Sequence, residues 1–215
     1  MKGLEEIHSE MVVDYIGNTY KEAIESLLGQ RESGATILNN SSKLISKEEI
    51  EQVLILLHRD YSDLGMRINV HKNKLHTFLK LINPFNRMII YPIFKMAYKG
   101  TSGGTHLDGK IEMFSYNRKV DIHAHEKECL KLFIVFDILH EVRHAYQRIH
   151  KKREYEQSHE DYIHEGNGYG SQWIERDANQ FAQRMMNNNK ERISEILGID
   201  FEWYSTWGKL TVNFQ

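Results

Sequence analysis

Two imidazoles four positions apart, with a carboxylate beside the first, occupy His140-Glu141-Val142-Arg143-His144. On an α-helix that spacing projects both rings from one face, one turn apart, where they can grip a single zinc ion while Glu141 reaches a water beside it. The chemistry expected of such a trio is hydrolysis, with Glu141 as general base. A five-residue pattern is short, so its flanks must say whether it is helical. The run Leu130 to Leu139 contains neither Gly nor Pro, and apolar positions 132, 135, 139, 142, 146 and 149 follow alternating steps of three and four. The spacing predicts a long helix that buries one stripe and turns Asp137, His140, Glu141, His144 and Arg148 toward another side.

A third ligand is needed, and the downstream chain offers one. Residues 171–186 contain no helix breaker after Gly170, and Ser171 is available as an N-cap. Glu175, Ala178, Asn179, Ala182 and Met186 fall on one side of that second helix. Glu175 completes a set of two histidines and one glutamate, Asn179 is placed to hold a ligand imidazole from behind, and the small Ala178 and Ala182 suit close packing against the first helix.

These two segments together resemble the bacterial zinc metallopeptidases of the ImmA/IrrE type, and more broadly the gluzincins. The matching residues are His140, Glu141 and His144, followed by Glu175, Ala178, Asn179, Phe181 and Ala182. The resemblance covers roughly positions 85 to 188. It implies an α+β, zincin-like fold with a small β-sheet before the His-Glu-x-x-His helix and a second, ligand-bearing helix after it. It further implies one zinc ion per chain and a peptide or protein substrate. A competing third ligand is His150, six residues after His144, which is the histidine spacing of the metzincins. Those enzymes place Gly midway to end the helix, whereas this chain has Gln147. With no terminator nearby, His150 is expected to continue outward on the helix.

Elements that must position this site can be read more coarsely. Residues 4–28 suggest an amphipathic helix, Glu32-Ser33-Gly34 and Asn39-Asn40-Ser41-Ser42 read as a linker, and Ser46-Lys47-Glu48-Glu49 has the form of a capping box opening a helix through Leu57. Residues 1–62 are therefore expected to form an N-terminal helical segment, and 63–215 the catalytic domain, or one continuous domain with it. Met66 to Val70, Arg87 to Tyr91, Lys95 to Tyr98 and Lys110 to Tyr116 read as strands or extended segments, and Leu75 to Ile82 as a short helix. Gly100 to Gly104 reads as a turn. The strand from Ile111 to Tyr116 is expected to offer an edge along which a peptide could pair.

Composition narrows the function classes. Hydrophobic residues make up 40% and charged residues 27% of 215, which suits a folded domain rather than a disordered chain. A net charge of -2 provides no electrostatic reason to expect nucleic acid as a partner, and Lys151-Lys152-Arg153 reads as a solvated helix end. The single cysteine, Cys129, excludes an intrachain disulfide and is expected to be buried. No signal-peptide pattern or membrane-length apolar run is legible, so the expected compartment is the cytoplasm. His123 and His125 read as surface or helix-entry residues. His159, His164, Tyr155, Tyr162 and Tyr169 lie between the two ligand helices, where one of them could reach a developing oxyanion. The rival class is a non-catalytic regulatory or partner-binding protein with a structural zinc site, against which Glu141 argues, since a structural site has no use for a general base.

Overall fold

A computed structural model describes residues 36–62, 64–81, 102–105, 110–120, 125–160, 172–206 and 209–213. The expected helix at 4–28, Glu32-Ser33-Gly34, the extended segments at 87–91 and 95–98, His123, His164, Tyr162, Tyr169 and Ser171 lie outside the described residues. What is described is a mixed α+β fold with a small sheet and several helices. Among the described residues no helix is long and apolar enough to cross a membrane.

The sheet is built from β1 (Ile37–Asn40), β2 (Arg67–Val70), β3 (Gly103–Thr105) and β4 (Lys110–Met113), in the order β1-β2-β4-β3. β1, β2 and β4 run parallel, and β3 lies antiparallel on β4. Alternation assigns the faces: Ile68, Val70, Ile111 and Met113 enter the main hydrophobic core, while Asn69 and Glu112 occupy the other face. On that face Asn39, Asn69 and Glu112 share one row, with Asn39 Nδ2 donating to Asn69 Oδ1 and Asn69 Nδ2 to Glu112 Oε1, each at 2.9 Å. His71 Nε2 completes the row 2.5 Å from Glu112 Oε2, so the buried carboxylate is satisfied from both sides.

Three expectations are corrected here. Asn39-Asn40 is the end of a strand, not a linker, because Ile37 and Leu38 pair with β2, and the turn begins only where Asn40 Oδ1 accepts from Ser42 N. Gly103-Gly104 is likewise strand rather than turn. Glycine has little intrinsic preference for a strand, but here both glycines pair with β4, and the close approach of Met113 and of Glu141 leaves no room for a side chain at Gly103. β4 consequently has neighbours on both sides and ends at Met113, with Ser115–Asn117 in a 3-10 turn, so the expected free edge along 111–116 is covered. Among the described residues the outer strands of the sheet are β1 and β3.

Helix α1 (Lys47–Ile55) has the expected capping box: Glu49 N donates to Ser46 Oγ, and Ser46 N donates to Glu49 Oε2. It is followed by α2 (Arg59–Ser62) and, after β2, by α3 (Lys74–Leu81). The principal helix, α4 (Glu126–His150), has 25 residues and is about 37 Å long. Leu132, Val135, Leu139 and Val142, the expected stripe, are fully buried, whereas Ile149 at its end is exposed. Cys129 is buried, and that burial pushes its thiol pKa up. α5 (Lys152–Glu160), α6 (Trp173–Asn188) and α7 (Lys190–Leu197) follow, and a hairpin of β5 (Glu202–Thr206) and β6 (Lys209–Asn213) closes the described chain. Leu38, Ile50, Val53 and Tyr61 share one hydrophobic cluster with Leu132, Leu139, Phe181, Ala182 and Trp203.

α4 runs through His150, as expected, and stops at the Lys151-Lys152-Arg153 run that reads as a helix end. The break is at Lys151, whose backbone leaves the helical region (φ -129, ψ 42) without Gly or Pro. Folding back into α5 buries Tyr155 and sets the Lys151 ammonium over the Trp173 ring, contacts that favour the bend over another helical turn.

Candidate metal centre

α4 and α6 pack face to face, with Ala178 and Ala182 fully buried where the backbones approach. That packing brings Glu175 to the imidazoles of α4. His140 Nε2 and His144 Nε2 are 2.9 Å apart, Glu175 Oε2 is 3.3 Å from His140 Nε2, and Glu175 Oε1 is 3.5 Å from His144 Nε2. These three are the group among the described residues able to hold a metal ion, their ligand atoms lying within 4.8 Å of one another. The corners of a tetrahedron with metal bonds of about 2.0–2.2 Å stand about 3.3–3.6 Å apart. Both Glu175 distances fall in that range and the two imidazole nitrogens stand closer, at 2.9 Å, so the donor set suits a small divalent cation once the rings part by a few tenths of an ångström.

Charge at the site points the same way. Burial disfavours a charged His144, but the Glu175 carboxylate, the Glu141 charge and the Gln147 amide outweigh it and raise its pKa to about 9. Burial also opposes ionisation of Glu175, yet hydrogen bonds and charge from His140 and His144 hold it well below the usual carboxylate range. The pocket between the helices thus already stabilises positive charge where an ion would sit.

Each imidazole is held from behind. His140 Nδ1 is 3.2 Å from Asn179 Oδ1, the role expected of Asn179 one turn beyond Glu175. His144 Nδ1 is 2.9 Å from Gln147 Oε1, and Gln147 Nε2 donates to Ile174 O at 3.0 Å and to Asp177 Oδ2 at 2.7 Å. Arg143 donates to the same carboxylate from Nε at 2.7 Å and Nη2 at 3.1 Å, and from Nη1 to Tyr61 Oη at 2.6 Å. Burial opposes ionisation of Asp177, but the bonds from Arg143 and Gln147 and the Arg143 charge prevail and lower its pKa. Gln147 and Asp177 were not legible as site residues. The signal for Gln147 was its i,i+3 spacing from His144, while Asp177 acquires its place only when α6 docks.

The remaining expected residues distribute as follows. Glu141 is buried beside His144, its Cγ lying against β3 near Gly103. Tyr155 is buried on α5; burial pushes its pKa up to about 12, with the Arg148 charge opposing and the charges of Glu141 and Glu175 adding to the rise, so its hydroxyl keeps its proton. Asp137 leaves the group, because Arg118 takes its carboxylate through two hydrogen bonds. His150 is exposed and stands apart from the cluster, its ring tilted on Tyr146 at 4.5 Å. His125 is the N-cap of α4 at φ 57, packed on Phe201. A hollow of about 450 Å3 lined by His125, Lys190 and Phe201 lies about 28 Å along α4 from His144, too far to serve the same site.

Comparisons with protein-family models, with curated proteins and with solved structures return no match.

Proposed function

We propose that this chain is a zinc-dependent metallopeptidase with a zincin-like catalytic fold. The observation that carries the reading is the convergence of His140 Nε2, His144 Nε2 and the Glu175 carboxylate, with Glu141 beside them on the same helix. One zinc ion held by those three side chains would supply Lewis acidity toward a carbonyl and its attacking water. Glu141 takes a proton from that water as its oxygen bonds to the carbonyl carbon, then delivers the proton to the leaving nitrogen as the C–N bond breaks. Tyr155, kept protonated by its surroundings, donates to the oxygen on which negative charge develops.

A peptide rather than another hydrolysable substrate is supported by β3. Phe114 N donates to Ser102 O, so Gly103, opposite Met113, belongs to a non-hydrogen-bonded pair and turns its own N–H and C=O away from β4. Among the described residues no strand occupies that outer edge, and an extended backbone can pair there beside Glu141. The likeness to ImmA/IrrE-type peptidases in the two ligand segments agrees with this reading. Elemental analysis of protein purified without added metal, joined to a cleavage assay on a proteome-derived peptide library, tests it. About one zinc per chain and peptide cleavage abolished by chelation are expected; a chain that neither retains nor takes up zinc sinks the proposal.

A further inference from the structure

We propose that Asp177 is a positioning residue for the metal centre, acting through Gln147 to select which ring nitrogen of His144 faces His140 and Glu175. The inference rests on reading that triad as a zinc site. A side-chain amide offers an oxygen and a nitrogen of nearly equal shape, so Gln147 alone could present either to His144. Its two outer neighbours decide. Ile174 O and Asp177 Oδ2, at 3.0 and 2.7 Å, can only accept, which assigns the amide nitrogen to them and leaves the oxygen 2.9 Å from His144 Nδ1. Nδ1 must then carry hydrogen, and Nε2 is left with its lone pair toward the other two ligands.

A carboxylate is needed at 177, because three donors converge on it. Arg143 Nε and Gln147 Nε2 both point at Oδ2, and Arg143 Nη2 at Oδ1. An amide at that position would set its own NH2 against either the guanidinium or Gln147. Position 147 therefore couples the two helices at the point where a glycine would have let the first one end.

The test is zinc retention by chelator competition for the wild type, Asp177→Asn, Gln147→Met and the double variant, with circular dichroism on each. Nitrogen-15 spectra of the zinc-loaded proteins report the His144 tautomer. Each single change is expected to weaken zinc binding roughly tenfold to a hundredfold with helical content kept. The double variant should match Gln147→Met alone, because Asp177 acts only through that amide. Unchanged zinc retention in Asp177→Asn, or losses that multiply in the double variant, would overturn the relay while leaving the zinc reading intact. If Asp177→Asn does not fold, Gln147→Met, which spares the Arg143 pair, decides through its tautomer and affinity: wild-type values for both overturn the relay. A wild-type chain that binds no zinc removes both ideas.

Discussion

Gly103 lies against Glu141 with no room for a side chain between them: a Cβ at position 103 would stand 3.2 Å from Glu141 Cγ and 2.9 Å from Met113 Sδ. The edge strand is thus seated directly on the proposed general base. Gly103→Ala should displace Glu141 by a few tenths of an ångström and lower turnover about tenfold, while zinc content stays at the wild-type level. Steady-state kinetics with metal analysis check it; full turnover would show that the strand does not constrain the base.

Glu141 touches the chemistry but not the proposed ion. Glu141→Gln preserves shape and burial and removes the basic carboxylate. Zinc content and thermal stability should survive while turnover falls roughly a hundredfold or more. A variant that remains fully active would need a different base.

Glu175 and His150 were the competing third ligands, and their surroundings now differ sharply. Glu175 is buried between the imidazoles, whereas His150 is exposed at the helix end. Glu175→Ala should weaken zinc retention by two orders of magnitude or more, and His150→Ala should leave it within about twofold of wild type. Titration of folded samples at fixed pH and salt distinguishes them, and the reverse pattern would overturn the ligand assignment.

Tyr155→Phe deletes one hydroxyl and leaves the buried ring. If that hydroxyl donates to the developing oxyanion, kcat should drop roughly tenfold to a hundredfold with KM and zinc content little changed. A rise in KM at constant kcat would instead assign Tyr155 to ground-state binding.

The N-terminal cap of α1 carries a pH dependence with a definite sign. Burial opposes ionisation of Glu49, but hydrogen bonds from Lys131 and from Ser46, with the Lys131 charge, lower its pKa below the ordinary 4.5. A depressed carboxylate pKa contributes stability above the unfolded value, and that contribution is lost as pH falls through the folded one. Glu49→Gln should therefore lower the melting temperature by roughly 1–2 °C at pH 7, and the gap to wild type should close as pH drops below about 4. A gap that persists at low pH would assign the effect to packing.

What the sequence determined by itself was local. Four-residue spacing on a breaker-free helix puts His140 and His144 on one face wherever that helix goes, and the same geometry places Asn179 one turn beyond Glu175. Ser46 and Glu49 close their capping box within four residues for the same reason: the partners are held together by backbone already committed to a helix.

Relations between distant segments were decided only by tertiary structure. Glu175 competed with His150 on paper because spacing cannot report how two helices dock; packing over Ala178 and Ala182 settles which one meets the imidazoles. Gly103-Gly104 looked like a turn because glycine disfavours strands in isolation, yet both pair with β4, and at Gly103 the Met113 and Glu141 side chains leave space for nothing larger. Asp137 had the spacing of a site residue, and Arg118 drew it away. Gln147 and Asp177 meet across the α4–α6 interface, where a hydrogen bond depends on the relative placement of two helices that neither segment encodes alone.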